Sequence, residues 1–405
     1  MIHSIISVLK NCWINPIWTI CCAIRNKGGI VACWNLVFRK YREGLSIKTI
    51  LRESWKSRIG TGYFEWQERF EKLTPQDMSA IRKQIQGLQS PPLISILMPV
   101  YNPDPHLLRQ ALDSVQNQIY PYWELCIADD ASPNAQIQTI LEDYCRADSR
   151  IHVIFRKENG HICAASNSAL DLCTGTYTAL MDHDDILPEV ALYFVAMEIT
   201  QHPDAMLIYS DEDLLSPQDK RYNPHFKPDW NEPLFLASNY LNHLSIYRTS
   251  LLREIGGFRL GYEGSQDHDL TLRCVLKIRP SQIRHIPRIL YHWRQFPGSG
   301  SFSDRALEQC KKARRQAVAD YLETKKCNAT VTRGCFGFNK INYTLKKLPP
   351  VTCVIPARNH AELTQICLNG LLYHTDYAPI EVILVDNGSI EQDAISLYKS
   401  FKNHP

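Results

Sequence analysis

Apolar and polar positions fall into blocks that read as elements through the middle of the chain. Leu93 to Asn102 reads LISILMPVYN, a short apolar run ending in Pro and Asn. Such a run predicts a buried parallel strand that opens into a loop. HLLRQALDSVQNQ follows with apolar residues at helical spacing, and WELCIADDAS predicts a second buried strand ending in Asp129 and Asp130. The pattern then predicts a helix over 135–146, a strand over 151–155, a helix in AASNSALDLC and a fourth strand in YTALM. This alternation predicts an α/β fold, an open and mostly parallel Rossmann-like sheet with helices on both faces. Ligands of such sheets bind beyond the carboxyl ends of the strands. Three of the strands place Asn102, Asp129–Asp130 and Asp182 to Asp185 at that edge.

The first 90 residues read differently. YFEWQERFEKLTPQDMSAIRKQIQGL has helical period, broken near Thr74–Pro75, and Pro91–Pro92 closes the segment. Met1 to Gly60 holds ten Lys or Arg residues against two acids, together with Trp13, Trp18, Trp34 and Trp55, although the whole chain carries only +3. A basic, tryptophan-rich extension before a mildly acidic body suggests contact with an anionic membrane surface. The alternative is a helical appendage with a solvated basic face. The apolar stretch from Cys12 to Ile24 is interrupted by Pro16 and is shorter than the ~20 residues that cross a bilayer. The basic cluster follows it, unlike a secretory signal. Fourteen cysteines form no CxxC pair, and Cys126, Cys163 and Cys274 lie in apolar runs, which predicts reduced core thiols of a cytoplasmic protein.

Chemistry is concentrated at strand ends. ALMDHDDILPE places three acids and a histidine directly after an apolar run. Carboxylates this close repel one another, and hard oxygen ligands suit Mg²⁺ or Mn²⁺, which removes the repulsion and bridges to a diphosphate. The alternative is a solvated loop in which Asp185 caps a helix beginning near Pro188. Asp129 and Asp130 can accept the imide N–H of a base, or form a turn leading through Ser132–Pro133 into a helix. RKENGHICAASNSAL places Asn159, a loop glycine and Asn167 near a helix start, where backbone N–H groups meet anions. Neither GxGxxG nor GxxxxGK[ST] occurs, which argues against a dinucleotide dehydrogenase and a P-loop NTPase.

Further on, GYEGSQDHDLTLR follows Gly256–Gly257, whose pairing suggests a helix C-cap and turn. Asp269 is read as an N-cap and Asp267 as a general base for a hydroxyl proton. RHIPRILYHWRQFPGSGS predicts a strand ending in Tyr291-His292-Trp293-Arg294. His292 there is a third metal ligand or a structural histidine, Arg294 can meet phosphate, and Trp293 can stack on a sugar. The chain also repeats itself. TCVIPARNHAEL matches SILMPVYNPDPH, and EVILVDNGS matches ELCIADDAS, at a common offset that aligns Asn102 with Asn359 and Ser132 with Ser389. The second copy begins near Pro350 and has Asn387 where Asp130 stands in the first. It stops before an equivalent of the acidic cluster, and about 55 residues are too few to bury a core of this class, so the chain reads as a fragment or truncated product of a tandem protein.

ISILMPVYN, CIADDAS, ALMDHDD, GGFRLGYEGSQDHDLTLR and YHWR, in that order, resemble glycosyltransferase family 2, over about Pro92 to Ser303 and again in part from Val351. The resemblance is to bacterial enzymes that build O-antigen and other surface polysaccharides, often as tandem transferases. It implies the GT-A fold and four segments: a helical basic extension over 1–90, a GT-A domain over 91–305, a helical linker over 306–349, and the incomplete start of a second GT-A domain over 350–405. It implies that Pro99, Tyr101, Asn102, Asp129, Asp130, Asn159, Asn167, Asp182 and Arg294 bind a nucleotide-sugar. Asp182, Asp184, Asp185 and His292 would hold Mn²⁺ or Mg²⁺, and Asp267 would be the base of an inverting transfer. Gln266 replaces the usual Glu of that motif, and YHWR only partly resembles the motif of processive members, which favours addition of one or a few sugars. The implied partners are a nucleotide-sugar donor and a glycan or lipid-linked acceptor at the inner face of the plasma membrane, with no nucleic acid. A phosphotransferase with an Asp nucleophile is disfavoured because Asp185 stands where that chemistry takes Thr or Val. The remaining alternative is a non-catalytic sugar- or nucleotide-binding module of a truncated tandem enzyme.

Overall fold

The structure is a computed structural model that describes residues 62–295 and 307–401. The basic, tryptophan-rich stretch and the Gly/Ser loop after Phe296 lie outside the described residues. The chain divides into two compact units, one reaching Tyr321 and including 333–340, the other made of 322–332 and 341–405.

In the first unit, helices α1 (62–70) and α2 (Pro75–Gln86) precede the sheet. The break expected at Thr74–Pro75 is a capping box: the Thr74 side chain accepts from the Asp77 N–H, and Asp77 accepts from the Thr74 N–H. Strand β1 (Ile94–Val100), helix α3 (Pro105–Gln116), β2 (Trp123–Asp129), α4 (Ala135–Ala147), β3 (Ile151–Phe155), α5 (His161–Leu172) and β4 (Tyr177–Leu180) follow. Asp104 caps α3 with Pro105 at its first position, and Leu108, Ala111, Leu112 and Val115 give it one buried face. The strands align in the order β3-β2-β1-β4, all parallel. The order reverses between β1 and β4, and right-handed crossovers then put α3 and α4 on one face and α5 on the other.

Beyond β4 the sheet turns mixed. Helix α6 (Ala191–Gln201) leads to β5 (Leu207–Leu215), β6 (Arg221–His225), α7 (Glu232–Ala237), β7 (Ser245–Arg248), α8 (Thr249–Glu254), α9 (Gln266–Val275) and β8 (Ile283–Arg294). Strand β7 lies antiparallel between β4 and β5, β6 is antiparallel to β5, and β8 is parallel to β5. The core runs through both halves, from Ile94, Ile96 and Met98 to Ile246, Leu290 and Tyr291. No helix among the described residues is long and apolar enough to cross a membrane.

The amino end of the parallel sheet is tied by one carboxylate. Buried Glu124 accepts from the Ser95 hydroxyl, the Thr174 N–H and hydroxyl, and the Gly175 N–H. It joins β1, β2 and the entry to β4 at the edge opposite the acids. Gly175 allows the approach, because a Cβ there would lie 2.7 Å from the Leu93 carbonyl oxygen.

The second unit repeats the first in miniature. Strand Val351–Ala357 pairs in parallel with Ile380–Asp386, and helices Ala361–Tyr373 and Gln392–Phe401 follow their strands. Its hydrogen bonds match position by position. The Asn102 N–H donates to the Ser132 hydroxyl at 2.7 Å, and Asn359 to Ser389 at 2.7 Å. Tyr120 donates to the Pro92 carbonyl as Tyr377 does to that of Pro349, and Ser95 pairs with Glu124 as Thr352 does with Glu381. Exposure differs: Val354 is 62% exposed where its counterpart Leu97 is 1%. Over 306–349 the helix Leu307–Thr324 is followed by strands Ala329–Arg333 and Asn339–Tyr343, where helix was expected throughout. ATVTR alternates β-branched and polar residues, a strand period.

Replacing Glu124 by Ala takes the acceptor from the Ser95 hydroxyl and from the Thr174 N–H and hydroxyl, while the Gly175 N–H keeps the Ser95 oxygen. The expected cost is about 1–3 kcal/mol, read from the urea midpoint, and a change under ~0.5 kcal/mol would show that the tie carries no stability.

Candidate active site

The acidic loop after β4 docks on the end of β8. The Ile186 N–H donates to the His292 carbonyl and the His292 N–H to that of Ile186. Asp185 is buried beneath this bridge, its Oδ2 accepting from the Tyr291 hydroxyl at 2.6 Å and its Oδ1 from the Arg294 N–H at 2.7 Å. Tyr291 also accepts the Asp182 N–H. Asp185 therefore caps no helix: α6 begins at Ala191 without a side-chain cap. His183 reaches back to the Pro99 carbonyl at 3.1 Å and ties the loop to β1.

His243 completes the cluster. Strand β7 runs antiparallel to β4, with Ala179 opposite Ile246, so the residues before β7 arrive at the edge where β4 ends. The His243 ring lies 3.7 Å from Asp182 and 3.3 Å from Glu212, stacked on Tyr291 with centroids 4.7 Å apart. Asp182, Asp185 and His243 bring one ligand atom each within 4.8 Å of one another. Two carboxylates and an imidazole suit a divalent cation such as Mn²⁺ or Mg²⁺, and each carboxylate oxygen keeps a second lone pair beside its protein hydrogen bond. Asp184 and His292 are not part of this group. The His292 ring is instead 2.6 Å from the buried carboxylate of Asp213, which also accepts from Tyr63 and Arg221.

Protonation follows from this crowding. Burial and the charges of Asp184 and Asp182 push Asp185 well above the usual carboxylate range. Burial also pushes Asp182 up, but His243 outweighs it and holds that carboxyl low. Burial disfavours the His243 cation, yet Asp182 and Glu212 raise its pKa to about 10. A metal entering this group would replace that imidazolium proton.

Asp267 lies in the first turn of α9, with Asn239 donating to its Oδ2 at 2.8 Å. Burial raises its pKa, the His243 charge lowers it, and the Asp182 charge raises it again. Asp267 thus shares one electrostatic field with the metal-ligand group. Asp269 is structural as expected, although by ion pairs to Arg259 and Arg273 in place of a cap, since Ser265 occupies the cap position.

Other predicted residues are engaged by the chain itself. Asp129 accepts from the Ser132 N–H and hydroxyl, the turn reading. Asp130 is 1% exposed and accepts from Arg156 and the Gly160 N–H, while Asn159 donates to its carbonyl. Asn167 is bonded both ways to the backbone of Phe258. Arg294 is buried, and its guanidinium donates to Asp219, the Asp184 carbonyl and Gln110, so it braces the acidic loop and presents no free charge to a phosphate. Tyr101, 49% exposed, and Asn102, at φ 45°, border the open edge beside Pro99.

The residues not anticipated are His243, Glu212, Lys227 and Asn239. Asp211, Glu212 and Asp213 sit inside β5, each with a basic partner: His285, Lys227 and Arg221 respectively. A second acidic triplet after the apolar MLIYS was the available signal.

A mostly parallel sheet with a switch point and a carboxylate–imidazole group at its carboxyl edge define a Rossmann-like domain of the GT-A fold. Residues 95–256 match the model of glycosyl transferase family 2, so this segment is a family 2 domain. Uncharacterized protein y4gI of Sinorhizobium fredii is 38% identical over 364 residues, covering 89% of this chain and 40% of its own length. O-antigen biosynthesis protein RfbC of Myxococcus xanthus is 32% identical over 327 residues, covering 81% of this chain and 26% of its own length. The chain thus spans less than half the length of either relative. The solved structure of S. aureus TarS 1–349 aligns over 56% of this chain and 65% of its own at 20% identity, with a TM-score of 0.46.

Glu212 yields a pH prediction. Burial raises its pKa, but Lys227, His225 and His243 bring it down to about 2. Its contribution to stability is present above the unfolded value and is lost as pH falls through the folded one. Between about pH 5 and pH 2 the denaturation midpoint of the wild type should therefore fall further than that of Glu212→Gln, and equal falls would remove Glu212 from this account.

Proposed function

We propose that the first unit is a metal-dependent, inverting glycosyltransferase that moves a sugar from a nucleotide-diphosphate donor to a hydroxyl of a glycan or lipid-linked acceptor in surface polysaccharide synthesis. The observation that carries this reading is the convergence of Asp182, Asp185 and His243 within 4.8 Å, with Asp267 in their field, on a family 2 domain. The name of the M. xanthus relative supports the polysaccharide class.

Asp182, Asp185 and His243 would hold Mn²⁺ or Mg²⁺, with Asp184 adjacent. A bound divalent cation supplies charge neutralisation for a diphosphate leaving group. Pro99, Tyr101 and Asn102 border the floor on which the nucleotide rests, and Asp129, Asp130 and Asn159 shape the wall beside it. Asp267 Oδ1 takes the proton of the acceptor hydroxyl while Asn239 holds Oδ2. The acceptor oxygen forms its bond to the anomeric carbon as the bond from that carbon to the diphosphate oxygen breaks. The electron pair leaves with the nucleoside diphosphate, and the configuration inverts. His292 and Arg294 orient the acidic loop through Asp213 and the Asp184 carbonyl.

We further propose that residues 350–405 are the start of a second domain of the same fold, supported by its matched hydrogen bonds. Asn387 in place of Asp130 assigns the chemistry to the first unit. The basic segment of residues 1–60 would rest on the cytoplasmic face of an anionic membrane, beside a lipid-linked acceptor.

Nucleotide release with a panel of UDP-, dTDP- and GDP-sugars tests the class. Asp267→Asn should lower turnover by ~10²–10⁴-fold and leave nucleotide affinity in Mn²⁺ nearly unchanged; an equal loss of affinity would count against a base. The wild-type rate should fall as pH drops through the raised pKa of Asp267, at higher pH than an ordinary aspartate gives. Asp182→Ala should weaken nucleotide binding in Mn²⁺ by at least about tenfold, and unchanged affinity by calorimetry would sink the metal role.

A further inference from the structure

The loop between α7 and β7 touches both halves of the proposed site. Asn239 donates to Asp267, and four residues later His243 faces Asp182 and Glu212. The loop has no helix or strand of its own to satisfy its carbonyls. His243 sits at φ 56°, in the left-handed region, a conformation that persists in a non-glycine residue only where the surroundings fix it.

What fixes it is a single buried amine. The Lys227 side chain is fully buried, and its Nζ donates to the carbonyls of Leu241 at 3.4 Å, Asn242 at 2.7 Å and His243 at 2.5 Å. Three donors meet three consecutive carbonyls, the full capacity of an ammonium group. Glu212 lies 3.7 Å from the same nitrogen and also faces the His243 ring, so one carboxylate balances both cations. Lys227 is itself anchored, because its backbone N–H donates to Asp211 at 2.8 Å. Ser245 adds a lesser tie to the Leu241 carbonyl.

We propose that Lys227 is the positioning residue that sets both centres of the site: by gripping three successive carbonyls of the 239–243 loop it holds Asn239 on the base and His243 on the metal-ligand group. This rests on the transferase reading above. Lys227 touches neither substrate nor metal and acts through the loop. Its loss therefore affects two functions that are otherwise separable: metal binding, which depends on His243, and turnover, which depends also on Asn239.

The test is a mutant cycle in the full chain with two readouts: affinity for Mn²⁺ alone by calorimetry, and nucleotide release with the sugar panel. Asn239→Ala should lower turnover with little change in Mn²⁺ affinity. His243→Ala should weaken Mn²⁺ binding by at least about tenfold. Lys227→Met should do both, and adding Asn239→Ala or His243→Ala to it should cost less than about threefold further, because the loop is already released. Lys227→Met within twofold of wild type in both readouts, or effects fully additive with the loop substitutions, overturns the proposal. If Lys227→Met lacks a cooperative thermal transition, Ser245→Ala replaces it: a loss in both readouts supports the loop as the shared element, and a loss in neither overturns it. A wild-type protein that neither binds Mn²⁺ nor releases nucleotide from any donor overturns the transferase reading itself, an outcome distinct from failure of the Lys227 variant alone.

Discussion

Carboxylates out of water must be matched by donors, and this constraint organises the first unit. Asp185, Asp211, Glu212, Asp213 and Asp267 are drawn to one edge of a single sheet, with Asp182 beside them. A buried carboxylate without donors is costly. Each is answered by a group from another element: Asp185 by Tyr291 and the Arg294 N–H on β8, Asp211 by His285, Asp213 by Tyr63, Arg221 and His292, and Glu212 by Lys227 and two imidazoles. The Asp185 contacts join the loop after β4 to β8, and the pairs of Asp211 and Asp213 with His285 and His292 fasten β5 to β8. Removing one partner would leave a buried charge, the costly case for such pairs. The arrangement is a scaffold first, and its chemistry is what remains available at the mouth, where Asp182 keeps 44% of its side-chain surface open.

The parallel half was legible in the sequence because its signals are local. Apolar runs of strand length, helical spacing between them and Pro or Asp at their ends gave β1 to β4 nearly residue for residue, and the turn at Gly256–Gly257 was marked by its glycines. The acidic loop and the Asp129–Ser132 turn were readable for the same reason, and so was a helix near Asp267, although it begins at Gln266 and not after Asp269. The mixed half was not. Strand β5 carries three consecutive acids inside a buried strand, which no period predicts, and its partners lie up to 150 residues away. His243 was missed because the expectation looked only to the carboxyl ends of parallel strands. It enters the same edge from the amino end of an antiparallel one. Arg294 misled in the opposite sense: an arginine beside a candidate phosphate site looks free in one dimension, and only the fold shows its donors committed to Asp219, Gln110 and the Asp184 carbonyl.

The internal repeat separates what a sheet edge needs in order to form from what it needs in order to react. The second unit preserves the turn that links Asn359 to Ser389 and the tyrosine that closes on Pro349, so these are devices of the backbone. It has Asn387 where Asp130 binds Arg156 and the head of α5 in the first unit. The shared hydrogen bonds build a strand end, and the unshared ones attach the loop that leads into α5.

One small contact joins two parts of the first unit that have separate histories in the chain. Asn167, on the helix following the Asp130 loop, exchanges two 2.8 Å hydrogen bonds with the backbone of Phe258, and its amide fills the space where a Cβ on Gly257 would stand, 2.4 Å from its oxygen. From Phe258 the chain runs on toward the helix that carries Asp267. The pair therefore works as a splice between α5 and the segment that leads into α9. Bonded at both ends of one amide, the two segments keep their spacing whatever the loops on either side of the splice do.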